Sequence, residues 1–267
     1  MDLNTFKEKV VQDYPRLKKD GKFKFGCHPG VSCFNKCCND VNIFLTPYDI
    51  IRLKNRLGIS SGEFLEKYTI LPLEENLRHP IVMLRMNEGT MDCPFVDAEK
   101  GCTLYEDRPW SCRMFPVGVA SPDEITSEKE EEFFFLLKEK VCRGFEEGQK
   151  EWTVAEWMDD QKVQDYNEFG ELFKKISMHD RFTHEKPLEP VKLEMFFMVC
   201  YDIDKFRDFV FGSSFLTRFD IEDEQINKMK ESDSELLRFG FKWLRLSLFG
   251  EKTMTLRPEY INPNYVA

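Results

Sequence analysis

The sequence is short of the features that most readily identify what a protein does. No run of eighteen apolar residues occurs, so no segment reads as a membrane span. The first residues include Asp2, Lys7, Glu8 and Lys9 and no apolar h-region, so no secretory signal is expected. No stretch of Lys and Arg stands free of carboxylates, and the formal net charge is -10, so neither nucleic acid nor membrane is an expected partner. There is no P-loop, no G-x-G-x-x-G, no H-E-x-x-H and no Ser/His/Asp arrangement, which leaves catalysis without a recognisable centre. No two cysteines are separated by two residues as in zinc ribbons, and the tight cysteine run of a bacterial ferredoxin is absent. Internal repeats and low-complexity tracts are missing as well.

What is present is a chain of 267 residues, 42% hydrophobic and with 25 Phe, long enough for one large domain or two modest ones. A chain of this size builds a core without cross-links, so its nine cysteines are not there to rescue a fold too small to stand alone. With no signal segment the expected compartment is the cytoplasm. Thiols stay reduced there, and clustered cysteines bind metal or carry redox chemistry.

The cysteines are concentrated. Four thiols and the imidazole of His28 fall between Cys27 and Cys38, among Gly, Pro, Ser and Asn. One buried cysteine behaves as a small hydrophobe. Four in a loop have little apolar surface to cover, and are either cross-linked or held by a metal. Eight of the nine lie in the first part of the chain: Cys27, Cys33, Cys37, Cys38, Cys93, Cys102, Cys112 and Cys142. Thiolates are soft ligands that suit zinc and iron–sulfur clusters, and a structural zinc or a four-iron cluster each takes four. Eight thiols could serve two sites, or one site with several left over. Cys37 and Cys38 are neighbours whose side chains are expected to diverge, toward two sites or with one ligating and one packing. Cys200, within Phe196-Phe197-Met198-Val199-Cys200, reads as core. Arg108 and Arg113 flank Cys112, where guanidinium groups would offset the negative charge of ligand thiolates.

Around these residues the pattern is mostly helical. Phe6, Val10 and Val11 give residues 1–26 an amphipathic lead-in. Thr46-Pro47-Tyr48-Asp49 opens a helix, with Thr46 as cap, Pro47 at the first position and Gly58 as the stop. A second short helix follows Ser60 or Ser61, and the two read as a brace for the cysteine loop. Ile81 to Met86 has strand length. Met91 to Val96 and Thr103 to Tyr105 flank the polar turn Asp97–Gly101 as a hairpin carrying Cys93 and Cys102. Arg108 to Pro116 reads as a short helical turn, and residues 121–132 as an acidic exposed segment. Thr153 to about Ser177 and Glu222 to Phe249 are each expected to form one long helix, with residues 180–190 as a linker between helical stretches.

The motifs Cys33-Phe-Asn-Lys-Cys37-Cys38, Leu45-Thr-Pro-Tyr-Asp-Ile50, Cys93-Pro-Phe95, Cys102-Thr-Leu-Tyr105, Arg108-Pro-Trp-Ser-Cys-Arg-Met-Phe-Pro116 and Cys142 occur in an order that resembles the YkgJ-type cysteine-cluster family of zinc- or iron-chelating domains. The resemblance covers roughly residues 25–145. It implies metal chelation, with zinc or iron undecided and no general reaction. One related group is linked to N-methylation of flagellin lysines, but no glycine-rich turn for a nucleotide-like methyl donor is present to support that activity here. The family's first motif, C-x3-C-x2-CC, is longer in this chain, C-x5-C-x3-CC.

The reading is therefore a mainly α fold with a small β-hairpin, in which an irregular metal-bound cysteine-cluster core is wrapped by helices. Residues 1–150 form the cysteine-cluster domain and residues 151–267 a helical region that packs on it or continues it. The eight thiolates hold an iron–sulfur cluster or zinc, the former favoured because eight thiols exceed what one structural zinc needs. Two alternatives differ in the use of the metal. One is a metal-dependent enzyme, an oxidoreductase or a protein-lysine methyltransferase, which needs an open coordination position or an adjacent pocket. The other is a zinc-stabilised platform whose helical half recruits a protein partner.

Overall fold

The computed structural model of the protein describes residues 15–72, 79–120, 133–180, 182 and 188–260. The expected lead-in helix at Phe6, Val10 and Val11, the acidic stretch 121–132, His184 and most of the 180–190 linker lie outside the described residues.

In chain order the first elements are β1 (Lys22–Lys24), β2 (Phe44–Leu45), α1 (Pro47–Leu57), α2 (Ser61–Tyr68), β3 (Thr69–Ile70) and β4 (Val82–Leu84). Next come β5 (Val96–Asp97), β6 (Gly101–Cys102), α3 (Trp110–Met114), β7 (Val117–Ala120), β8 (Phe133–Leu136), α4 (Gly144–Glu147), β9 (Glu151–Thr153) and α5 (Val154–Asp160). The remainder is helical: α6 (Gln164–Ser177), α7 (Pro190–Cys200), α8 (Ile203–Gly212), α9 (Asp223–Glu231) and α10 (Asp233–Phe249). Helix dominates, as expected, but the single hairpin of the sequence reading is joined by three other small sheets among the described residues. None of the helices among the described residues is long and apolar enough to cross a membrane.

The chain divides into two compact units, each assembled from three segments. The first comprises 1–41, 86–105 and 110–164; the second comprises 42–85, 106–109 and 165–267. All eight clustered cysteines belong to the first unit and Cys200 to the second.

The first unit is built from two-stranded antiparallel ladders and short helices. β1 pairs with β9 (Phe23 opposite Trp152), β5 with β6 (Val96 opposite Cys102) and β7 with β8 (Gly118 opposite Phe135). Its core gathers Phe23, Phe25, Met114, Val117, Phe134, Trp152, Val154, Trp157 and Val163. Phe25 meets Trp157 edge to face at 5.5 Å, and burying a ring this completely contributes roughly 1.5–3 kcal/mol. Both buried indoles find acceptors, Trp152 Nε1 donating to the Phe25 carbonyl and Trp157 Nε1 to that of Met114, each at 3.1 Å. The core is thereby tied to the residues that immediately precede Cys27 and follow Cys112.

The second unit is helical around a three-stranded sheet of order β2-β4-β3. α1 begins as the sequence predicts. The Thr46 hydroxyl accepts from the Asp49 N–H at 3.2 Å, the Asp49 carboxylate accepts from the Thr46 N–H at 2.7 Å, and Gly58 ends the helix at φ 67°. α2 is capped by Ser60. Gly240 of α10 lies against α7, where an added Cβ would sit 2.6 Å from Val199 Cγ1. Lys54, nearly buried, bridges Asp204 at 3.1 Å and Asp233 at 2.9 Å, and Arg207 holds Asp233 from the other side at 2.6 Å.

Two long helices of the sequence reading are broken. Thr153–Ser177 becomes α5 and α6, because Gln161 closes α5 and Lys162 turns to φ 52°. The stripe from Val154 to Ile176 is correspondingly split, with Val154 and Trp157 in the first unit's core and Tyr166, Phe169 and Ile176 buried in the second. Glu222–Phe249 becomes α9 and α10, jointed at Ser232, an extended residue that ends one helix and caps the next by accepting from the Glu235 N–H at 3.3 Å.

Candidate metal centre

The Cys27–Cys38 segment is a succession of tight turns. Val31 N–H donates to the His28 carbonyl, Phe34 N–H to Val31, Lys36 N–H to Cys33 and Cys38 N–H to Asn35, all at 2.9–3.0 Å. Asn35 sits at φ 68°, a conformation that asparagine tolerates better than most residues. The His28 Nδ1 accepts from the Gly30 N–H at 3.1 Å. The loop buries Val31 and Cys33 and leaves most of its other residues exposed or half-buried, so it is also positioned by what it is tied to.

One set of ties leads to the segment around Cys142. Gly26 N–H donates to the Gly144 carbonyl at 3.0 Å, and Phe25 N–H to that of Lys150 at 3.1 Å. The backbones approach so closely that a Cβ on Gly148 would lie 2.1 Å from the Gly26 nitrogen. Ser32 then donates its N–H (2.7 Å) and its hydroxyl (2.6 Å) to the Glu147 carboxylate. The Ser32 hydroxyl and N–H hold that carboxyl below its usual range. The Arg143 N–H donates to Cys33 Sγ at 3.0 Å. Cys27, Cys33, Cys37 and Cys142 line one pocket with Phe25, Gly26, Phe115, Val141 and Gly144. Its empty space is about 270 Å³, including the part open to solvent.

A second set leads to the hairpin. Cys93 N–H donates to the Cys38 carbonyl at 2.8 Å, Asp40 N–H to Met91 at 2.8 Å, and Asn39 forms a β-bridge with Asp92. Asn35 Nδ2 donates to the Asp97 carbonyl at 3.0 Å, at the hairpin turn. β5 and β6 then set Cys102 opposite Val96, three residues beyond Cys93. Cys112 stands in the short helix α3.

All nine cysteines are free thiols, so the disulfide alternative has no support among them. Cys33 and Cys200 are buried, Cys27 is exposed and the other six are half-buried. Among the described residues, no three His, Cys, Asp or Glu side chains already stand together as a group that could hold a metal ion. The thiols nevertheless sense one another. A hydrogen bond from Cys38 lowers the Cys37 thiol to about 7, against burial that raises it. Cys38 is pushed far up by the same bond, by burial, and by Cys37, Cys93 and Cys112. Burial raises Cys93, while N–H groups of Phe95 and Val96 oppose it; burial raises Cys142, while the Gly144 N–H opposes it.

Arg113 is buried in the first unit and donates from Nη1 to the Gln161 carbonyl at 2.6 Å. Arg108 is buried too, within the 106–109 segment grouped with the second unit. Cys200 is fully enclosed, and burial pushes its thiol well above the ordinary range. Sequence reasoning did not find the Ser32–Glu147 tie or the Arg143 N–H on Cys33, because neither a lone Glu nor a backbone amide leaves a motif.

Free thiols gathered in one unit, with N–H donors on some of the sulfurs, suit the chelation of soft or borderline metals. Residues 26–143 match the family model CxxCxxCC, described as "Putative zinc- or iron-chelating domain", and this is the cysteine-cluster family that the motifs resemble. No curated protein and no solved structure gives a significant match to the chain.

Proposed function

We propose that the protein binds metal through the thiolates of Cys27, Cys33, Cys37, Cys38, Cys93, Cys102, Cys112 and Cys142, as an iron–sulfur cluster or zinc, with iron–sulfur favoured. The observation that carries this reading is the Arg143 N–H on Cys33 Sγ at 3.0 Å, inside a pocket that three further cysteines line. An N–H donor on sulfur stabilises a thiolate and tunes the metal it holds. Phe25 and Phe115 wall the same pocket and would shield a cluster from water, which is the reason for preferring iron–sulfur. Such a cluster would supply one-electron chemistry, whereas zinc would supply structural closure. Arg113, buried beside Cys112 in the sequence and in the same unit, is the guanidinium proposed to offset thiolate charge. Residues 1–150 are proposed as the metal-binding portion.

The test is purification without oxygen, followed by elemental analysis for iron and zinc and assay of acid-labile sulfide. A brown protein containing iron and sulfide is expected. A colourless protein with stoichiometric zinc would reverse the choice of metal, and a protein with neither would overturn the function.

A further inference from the structure

We propose that the eight thiols divide into two four-thiolate sites, Cys27, Cys33, Cys37 and Cys142 in one and Cys38, Cys93, Cys102 and Cys112 in the other, joined at the Cys37–Cys38 peptide bond. The proposal rests on the metal-binding reading above and adds the number of centres and the membership of each.

Geometry supports the first set directly. Its four cysteines line one pocket, and that pocket is lined by none of the other four. The backbone contact between Gly26 and Gly144 places Cys27 and Cys142 on adjoining strands of chain, each within two residues of that contact. The Ser32–Glu147 tie fixes the middle of the loop, next to Cys33, onto the same segment.

A different scaffold supports the second set. The Cys93 N–H on the Cys38 carbonyl at 2.8 Å makes Cys38 and Cys93 antiparallel neighbours. The Asn39–Asp92 bridge extends that pairing by one residue. The β5–β6 hairpin turns the chain back so that Cys102 stands opposite Val96, three residues beyond Cys93. Cys112, in α3 of the same unit, is the one clustered thiol left over and completes the second set. The first scaffold uses 142–150 and the second uses 91–102, and only the loop 27–40 takes part in both. Each set also receives its own N–H donors, from Arg143 and Gly144 in the first and from Phe95 and Val96 in the second. Metal entry releases the thiol protons of each set to solvent as the sulfurs become ligands.

The experiment combines metal content with thiol protection in the full-length protein. Wild type, Cys142→Ser, Cys102→Ser and Cys200→Ser would be purified without oxygen. Each would be weighed by native mass spectrometry, treated with iodoacetamide, digested and mapped for alkylated cysteines. Wild type is expected to carry two centres and to protect all eight clustered thiols. Cys142→Ser should lose one centre and expose Cys27, Cys33 and Cys37 while Cys38, Cys93, Cys102 and Cys112 stay protected. Cys102→Ser should give the converse, and Cys200→Ser should keep both centres. A wild type with one centre, or the same thiols exposed in both cluster variants, would overturn the partition while leaving metal binding intact. A wild type with no metal would instead overturn the function itself. Should either variant lose all metal, partial chelation of wild type with EDTA reads the same question: protection lost in two groups of four upholds the division, and loss in one step overturns it.

Discussion

Ser32 presents both its N–H and its hydroxyl to a single carboxylate, that of Glu147, 115 residues further along the chain, at 2.7 and 2.6 Å. The contact fastens the loop, beside its buried Val31 and Cys33, to the segment that follows Cys142. Replacing Glu147 by Gln keeps the shape but weakens both charge-assisted bonds. The expected result is several-fold faster loss of metal to a chelator, with the helical content unchanged, read by competition and far-UV circular dichroism. The carboxyl is held below its usual value, so its contribution is full above the unfolded pKa of about 4.3 and fades as pH falls through the lower folded value. The difference between wild type and Glu147→Gln should therefore narrow in acid, measured as metal retention against pH.

Gly148 and Gly62 make a contrasting pair. A Cβ on Gly148 would collide with the Gly26 nitrogen at 2.1 Å and with the Gly144 carbonyl oxygen at 2.3 Å, both backbone atoms that cannot swing aside. Gly148→Ala should cost about 1–3 kcal/mol or more in the first unit and lower metal content. Gly62, in α2, has nothing within 4 Å of the same position. Gly62→Ala should stabilise by about 0.5–1 kcal/mol with metal content unchanged. Thermal unfolding and elemental analysis on both variants check the pair.

Cys33 and Cys200 are both buried, yet their replacement should have opposite consequences. Cys33→Ser is expected to reduce bound metal, because Cys33 Sγ is the sulfur that receives the Arg143 N–H. Cys200→Ser is expected to leave metal unchanged but to cost about 1–3 kcal/mol, since its hydroxyl would be enclosed away from water. Cys200 should also resist iodoacetamide in the folded protein at neutral pH.

Lys54 lies between two carboxylates with only 7% of its side chain exposed. Lys54→Met should destabilise by about 3 kcal/mol, near the low end for a broken buried pair because Arg207 stays on Asp233. Burial alone would raise the Asp233 carboxyl, but hydrogen bonds from Arg207, Lys54 and Asn55 outweigh it and hold the group below its usual value. That stabilisation is present above the unfolded pKa of about 3.9 and is lost as pH falls through the folded one. Unfolding temperatures measured from about pH 5 downward should fall less steeply in Lys54→Met than in wild type.

Local chemistry was readable where it is written in neighbouring residues. Thr46, Pro47, Asp49 and Gly58 delimit α1, and Ser60 announces α2. The cysteine content pointed to metal, and the family match supports that level of description. The break at Ser232 was available in the sequence as Ser232-Asp-Ser-Glu235, a cap followed three residues later by an acid, but the apolar stripe running through it was the louder signal. The break at Lys162 has no comparable marker; it depends on a positive φ in a residue that rarely adopts one. Beyond the hairpin that carries Cys93 and Cys102, the neighbours of the cysteines were not readable. They follow from the Gly26–Gly144 backbone contact and the Asn39–Asp92 bridge, which join residues far apart without periodicity.

The interleaving of the two units has a consequence for biosynthesis. The chain passes from one unit to the other five times, at 41/42, 85/86, 105/106, 109/110 and 164/165. A nascent polypeptide therefore exposes Cys27 to Cys38 long before Cys142 leaves the ribosome, and releases α1 and α2 well before the helices after residue 165 with which they are grouped. Neither half can mature in the order it is translated. Early thiols must stay reduced and uncommitted until the later segments arrive, which makes the interval of synthesis itself the period when the wrong metal, or an oxidant, has its best access.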